Sequence, residues 1–340
     1  MGLPPLRFVP HHRLDGVPNV VVDGSPVPGT VLTVTHWPGY PPPPGIEDDL
    51  SAQMAFRLLE RPDLVPPGVE VVTNNHYDQD GLVSVFALVD PDEAVPRRRF
   101  LEEVASAGDF AVCHDRDAAR VSAVVAAWAR ADGLPADADE ARAVLYEDAL
   151  GRLPDLCDHV DRYRELWAEE DAALDAAEAA FAAGRATIEE RPEVDLAVVT
   201  VVDDAGRRPG GSGAGTGGGH RFAHEWAPGL HPMAVHNRTE RATVARIQGR
   251  RYDVELRYEG WVQLRSRKVR PRRDLVPLAE RLQAEETGDA VWTATPVGRL
   301  LPRLRLGEGQ ESSLPPERFL ELLVGHLRTA PPAWDPYRPV

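Results

Sequence analysis

Between Val69 and Ala87 the chain reads VEVVTNNHYDQDGLVSVFA, and three side chains there, His76, Asp78 and Asp80, have the types and spacing to hold a cation. They fall at i, i+2 and i+4. Alternate residues leaving a strand face one side, so the three can converge on one point. Carboxylates are hard oxygen donors and imidazole is borderline, a mixture that suits Mn²⁺, Mg²⁺ or Fe²⁺ better than a structural zinc. Two other readings compete. An EF-hand loop starting at Asp78 needs a glutamate at its twelfth position, where the chain has Val89, and is rejected. A polar strand-to-helix turn with Asp80 as N-cap would use the same residues without a metal.

The flanking elements must position these groups. Val69 to Thr73 is a β-branched run that predicts a buried strand, and the apolar run from Leu82 predicts a helix start. The three side chains would then leave the carboxyl end of a strand, where α/β proteins place ligands. Upstream, residues 1–18 read as an irregular arm, Asn19 to Asp23 as a strand ending in an acid, and Thr30 to Trp37 as a strand ending in His36. The segment PGYPPPPG blocks regular structure, and Ile46 to Glu60 reads as a helix. Downstream, Pro96 to Ala107 reads as a helix ending at Gly108, with Asp109 in the loop after it. Asp115 and Asp117 compete with Asp109 as a further ligand; their alternative role is the N-cap of the next helix.

The string VVTNNHYDQDGLVS resembles the first motif of the DHH phosphoesterase superfamily, in which a strand delivers His, Asp and Asp to a pair of divalent metals. VVVD, LTVTHW and DDLSAQMAFRLL resemble, in order, the family's strand ending in aspartate, its strand ending in Asp-His-His and the helix after it. Two departures stand out: Thr35-His36-Trp37 replaces Asp-His-His, and these pieces precede the His-x-Asp-x-Asp string instead of following it. The resemblance implies a metal shell of His76, Asp78, Asp80, Asp23, His36 and Asp109, holding two Mn²⁺ or Mg²⁺ ions. WVQLRSRKV resembles the strand of the C-terminal DHHA1 domain that meets the substrate's phosphate, which makes Arg265 and Arg267 the candidate substrate contacts. GGGH, at Gly217 to His220, resembles a substrate-binding tetrapeptide of that domain. The Gly-rich stretch 203–219 around it lacks both the P-loop and the G-x-G-x-x-G frame and reads better as a flexible insertion.

Composition narrows the function class. The chain has 340 residues, 43 % hydrophobic, enough for a buried core in one large or two ordinary domains. Its net charge of −16 argues against extended nucleic acid and anionic membranes as partners. The charge is uneven, however, with twelve basic and four acidic residues between Arg238 and Arg273, which points to a local anion site or a solvated basic face. Cys113 and Cys157 are isolated, which excludes a disulfide scaffold. No run is long and apolar enough to span a membrane and the first residues lack a signal-peptide order, so a cytoplasmic location is expected.

The fold class expected is α/β. A mostly parallel sheet domain over residues 1–150 would be followed by a helical connector over 151–191 and a smaller α+β domain over 192–330. The activity implied is hydrolysis of a phosphodiester or phosphoanhydride in a small phosphorylated substrate, and a homodimer is left open. The alternative is a DHH-like metal- or nucleotide-binding protein that hydrolyses nothing.

Overall fold

A computed structural model describes residues 2–202 and 230–338. Those residues form two compact units: 2–171 with 263–267, and 172–202 with 230–262 and 268–338. The Gly-rich stretch 203–219, its GGGH string and His224 lie outside the described residues.

A wholly parallel four-stranded sheet organises the first unit. Strands β1 (Arg7–Phe8), β2 (Asn19–Val22), β3 (Thr30–Val34) and β4 (Val71–Thr73) lie in the order β1-β4-β2-β3. Every residue of the central strands β2 and β4 is buried, as continuous β-branched runs are when both faces of a sheet are covered. The first residues are not an irregular arm. Arg7 N–H donates to Glu70 O and Val9 N–H to Val72 O, so the segment adds an edge strand to β4.

Around the sheet run α1 (Ser51–Leu59), α2 (Gln79–Val89), α3 (Pro91–Ala94), α4 (Arg98–Phe110), α5 (Arg116–Trp128) and α6 (Ala138–Asp158). Helix α1 starts later than the apolar pattern predicts, because Leu50 is extended and its N–H is taken by Gln53 Oε1. Helix α2 is buried from Gln79 through Leu88, the signature of a helix enclosed on all sides. Helix α4 runs through Gly108 and Asp109 to Phe110 and stops at Ala111, whose φ of 49° is left-handed. Asp109 therefore lies in the last turn of a helix, a correction to its expected place in a loop.

Helix α7 (Arg164–Ala182) lies in the expected helical connector, and its acidic run, which reads as a solvated helix, is not exposed on every side. Trp167, Leu174, Ala177 and Ala180 bury one stripe, and Asp171 pairs with Arg116 at 2.6 Å and Arg120 at 3.1 Å.

The second unit holds a mixed sheet. Its members are β5 (Ala186–Arg191), β6 (Leu196–Val201), β7 (Thr243–Gln248), β8 (Arg251–Leu256) and, beyond the two-residue β9 (Arg272–Arg273), β10 (Trp292–Ala294) and β11 (Arg303–Leu306). The order is β10-β11-β8-β7-β6-β5; β6 and β7 are parallel and the other pairs antiparallel. A short α8 (Pro232–His236) precedes β7. Helices α9 (Val276–Glu285) and α10 (Pro316–Thr329) join one apolar face of the sheet through Leu278, Leu282, Phe319 and Leu323, and β12 (Pro332–Trp334) pairs with β9.

WVQLRS is not a strand. Burial alternates at Val262 and Leu264 as it would in one, but the N–H groups of Gln263, Arg265 and Ser266 bond to His36 O and Asp49 Oδ1 instead of to a ladder. Among the described residues no helix is long and apolar enough to cross a membrane.

Candidate metal centre

Parallel strands end on one side of their sheet, so β2, β3 and β4 deliver the residues that follow them to a common edge. Asp23 directly follows β2, His36 lies two residues past β3, and the Asn74 to Asp80 segment leaves β4 and enters α2. Asp109 reaches the same place from α4. The six predicted metal ligands are thus brought together.

They form two groups. Asp23, His36 and Asp80 place one ligand atom each within 4.8 Å of one another, and so do Asp23, His76 and Asp78. His36 Nε2 lies 3.6 Å from Asp23 Oδ1, 3.9 Å from Asp80 Oδ2 and 3.3 Å from Asp109 Oδ2. His76 Nε2 lies 3.1 Å from Asp23 Oδ2 and 3.0 Å from Asp78 Oδ2. One carboxylate therefore serves both groups, one oxygen each.

The surrounding hydrogen bonds orient these atoms. His36 Nδ1 meets Asp49 O at 2.6 Å, which leaves Nε2 facing the carboxylates. Ser51 Oγ donates to Asp23 Oδ1 at 2.8 Å. Asp80 accepts from Ser51 N–H at 2.9 Å and Ala52 N–H at 2.7 Å, so it takes up orphan donors in the first turn of α1. The N-cap of α2 is Asp78, not Asp80: its Oδ1 accepts from Gly81 N–H at 2.9 Å and leaves Oδ2 to the cluster. Gly81 is required there, because a Cβ would lie 2.6 Å from Asn74 Nδ2 and 2.8 Å from Tyr146 Oη.

Charge argues that this cluster is built around cations. Asp23, Asp80 and Asp109 are fully buried. Among the described residues neither Asp23 nor Asp80 has a lysine or arginine in ion-pair contact. A buried carboxylate without a counter-charge costs on the order of several kcal/mol. Asp23 Oδ2 faces the His76 ring, 3.1 Å from its Nε2. Burial, followed by the charges of Asp23, Asp109 and Asp78, pushes the Asp80 carboxyl well above its ordinary range. Asp109 also sits at the negative end of the α4 dipole, where a carboxylate is disfavoured by roughly 0.3–1 kcal/mol. Hard oxygens with two Nε2 atoms fit divalent ions of the Mn²⁺ or Mg²⁺ type.

Asp115 and Asp117 are outside the cluster. Asp115 caps α5 by accepting from Asp117 and Ala118 N–H, and Asp117 pairs with Arg120 at 2.8 Å. Arg265 is exposed, on the segment tied by backbone bonds of 2.6 and 2.8 Å to Asp49. Since Asp49 O holds His36, this segment is two links from a candidate ligand; Arg267 follows on the same segment. Sequence reasoning placed Asp49 and Ser51 only at the start of a helix, gave neither a part in the metal shell, and assigned no role to Asn75. The Asp-Leu-Ser-Ala string was the available signal for the first two, whereas Asn75 had none beyond its place beside His76.

A family comparison covers almost the whole chain, from residue 4 to residue 338, and its description is "Family of unknown function (DUF6687)". The chain belongs to the DUF6687 family. No curated protein and no solved structure matches it.

In this DUF6687 chain the state of His76 yields a pH prediction. Burial lowers an imidazole's pKa, but the charges of Asp78 and Asp23 and their hydrogen bonds outweigh it and raise His76 to about 10. An imidazolium at neutral pH follows for the metal-free protein, and a cation binding there would displace its proton. Metal affinity should therefore rise with pH up to about 10. The stability that protonated His76 gives the metal-free protein is fully present below its ordinary value of 6.5 and lost as pH rises through about 10. Calorimetric titration with Mn²⁺ at neutral pH, in buffers of differing ionisation enthalpy, should show proton release; heats independent of buffer would exclude this state.

Proposed function

We propose that this protein is a metal-dependent phosphoesterase that hydrolyses a phosphodiester or phosphoanhydride of a small nucleotide or short oligonucleotide, in the cytoplasm. The observation that supports this most directly is the sharing of Asp23 by two groups, each of one imidazole and two carboxylates. The resemblance of VVTNNHYDQDGLVS to the DHH motif points the same way. Two Mn²⁺ or Mg²⁺ ions bound there would supply an activated water and neutralise charge on the phosphoryl group. The chain's own part is positional. Asp23 links the two positions, the first turn of α1 fixes Asp23 and Asp80, and Asp78 turns one oxygen to the cluster while the other caps α2. The carboxylates and neutral imidazoles act as ligands, so no protein nucleophile is required. Arg265 or Arg267 would hold the non-reacting phosphate by charge-assisted contacts.

A second reading, metal or nucleotide binding without hydrolysis, draws on Thr35 and Trp37. They stand where the Asp-His-His signature has a carboxylate and an imidazole, and Thr35 Oγ1 is spent on Trp37 N–H at 3.2 Å. Metal analysis of the purified protein, with Mn²⁺-dependent product release from a panel of phosphodiesters, separates the readings. Turnover in the wild type that disappears in Asp78→Ala and in the cap-preserving Asp78→Asn supports the phosphoesterase. Bound metal without turnover favours the second reading, and absence of metal removes both.

A further inference from the structure

The two groups that share Asp23 differ in their surroundings. In the inner group Asp23, His36 and Asp80 are all fully buried, and Asp109 adds a carboxylate beside His36. In the outer group the side chain of His76 is 27 % exposed and that of Asp78 10 %. A closed set of ligands retains its ion, whereas a set open on one side admits exchange.

Trp37 is what distinguishes the outer position further. Its indole stacks on the His76 imidazole with ring centroids 5.3 Å apart and planes inclined by 29°. Trp37 directly follows the inner ligand His36, and the Thr35 hydroxyl fixes that turn by accepting Trp37 N–H. One backbone turn therefore carries an inner ligand and the support of an outer one. The other restraint on the ring is Asn75, whose Oδ1 meets His76 Nδ1 at 3.0 Å and whose Nδ2 donates to Ser25 Oγ at 3.1 Å. Asn75 selects which nitrogen faces Asp23 and Asp78, while the indole limits rotation of the ring as a whole.

We infer that the outer position, formed by Asp23, His76 and Asp78, is the exchangeable one, and that Trp37 is a positioning residue that sets its affinity by holding the His76 ring. This rests on the metal-centre reading above. A partly exposed imidazole without such support must be ordered when the ion binds. Hydrogen-bonding groups that orient a ligand histidine are typically worth about 10–100-fold in metal affinity, and a stacked ring that restrains the same imidazole is expected at the lower end of that range.

The test uses the full chain, stripped of metal and titrated with Mn²⁺ by calorimetry, with ion counting after gel filtration and release kinetics in excess chelator. The wild type should bind two ions, one at least about tenfold tighter than the other, and release them in two phases. Trp37→Ala should weaken the looser ion by about tenfold and leave the tighter one within about twofold. Trp37→Phe, which keeps an aromatic face, should stay within about threefold of the wild type. Circular dichroism checks the fold; if the alanine variant does not fold, Trp37→Leu takes its place with the same expected loss. Two equal ions released in one phase, or a Trp37 variant that weakens both ions alike or neither, would overturn the inference. Two unequal ions without turnover sink the phosphoesterase reading alone, turnover with two equal ions sinks this inference alone, and no bound ion sinks both.

Discussion

Asp23→Asn is expected to abolish binding of both ions and, with it, the rise in melting temperature that Mn²⁺ gives the wild type. The two effects have one cause. Asp23 is buried and supplies an oxygen to each group, Oδ1 beside His36 and Oδ2 3.1 Å from His76 Nε2. Its charge also contributes to pushing up the Asp80 carboxyl. Neutralising it relieves part of that repulsion but also removes a counter-charge from the His76 imidazolium, so no net gain is expected in the metal-free protein.

With Mn²⁺ at a hundred times the dissociation constant, the wild type should gain about 2.7 kcal/mol per ion, or roughly 5–10 °C, and the variant nothing. Asparagine is the appropriate replacement because Asp23 has a φ of 44°, a left-handed conformation that asparagine adopts readily and alanine does not. Thermal unfolding of both proteins, with and without Mn²⁺, checks the difference. A variant that still melts higher with the metal would rule out Asp23 as the shared ligand.

Glu255→Gln should be the most damaging single substitution in the second unit. Glu255 Oε2 lies 2.9 Å from Arg246 Nη1 and 3.0 Å from Arg303 Nη2, and all three residues are at most 3 % exposed. Asp253 meets Arg246 at 3.1 Å, and His236 Nε2 is 3.5 Å from Glu255 Oε1. Arg246, Asp253, Glu255 and Arg303 alternate with the core residues Ile247, Tyr252, Val254 and Leu304, so they belong to the sheet face opposite the apolar core. Removing the carboxylate leaves two buried guanidinium groups short of counter-charge, a loss of about 3–5 kcal/mol.

The pH dependence gives a second handle. Burial pushes the Glu255 carboxyl up, but Arg246 and Arg303 overcome it and hold the group well below its ordinary value of 4.5. Its contribution is therefore present above pH 4.5 and lost as the pH falls further. Urea unfolding should show a constant gap between wild type and variant from pH 6 to 8, narrowing in acid. A gap that does not narrow would assign the loss to packing.

Much of the first unit was legible locally. Asn19 to Val22 and Val71 to Thr73 are β-branched runs with no competing period, and the His76, Asp78 and Asp80 spacing marks a ligand loop whatever surrounds it. The ending of one strand at Asp23 and the approach of another to His36 were equally plain. Errors arose where a local pattern serves two structures. Val262 and Leu264 alternate in burial like strand residues, yet the backbone between and after them bonds to residues more than two hundred positions away. Gly108 looked like a helix stop, but α4 continues past it to a left-handed Ala111. The α7 charge pattern likewise hid a buried stripe.

Residue types and their spacing were thus enough to mark His76, Asp78 and Asp80, and the resemblance to the DHH motifs added Asp23, His36 and Asp109 as candidates. They could not say that Asp23 is shared, that Asp80 also holds the first turn of α1, or that Trp37 lies against His76. Those facts depend on the β1-β4-β2-β3 order, which sets Asp23 beside the β4 exit and His36 beyond it. Strand order is set by long-range packing, and no short window of sequence contains the two surfaces that must meet.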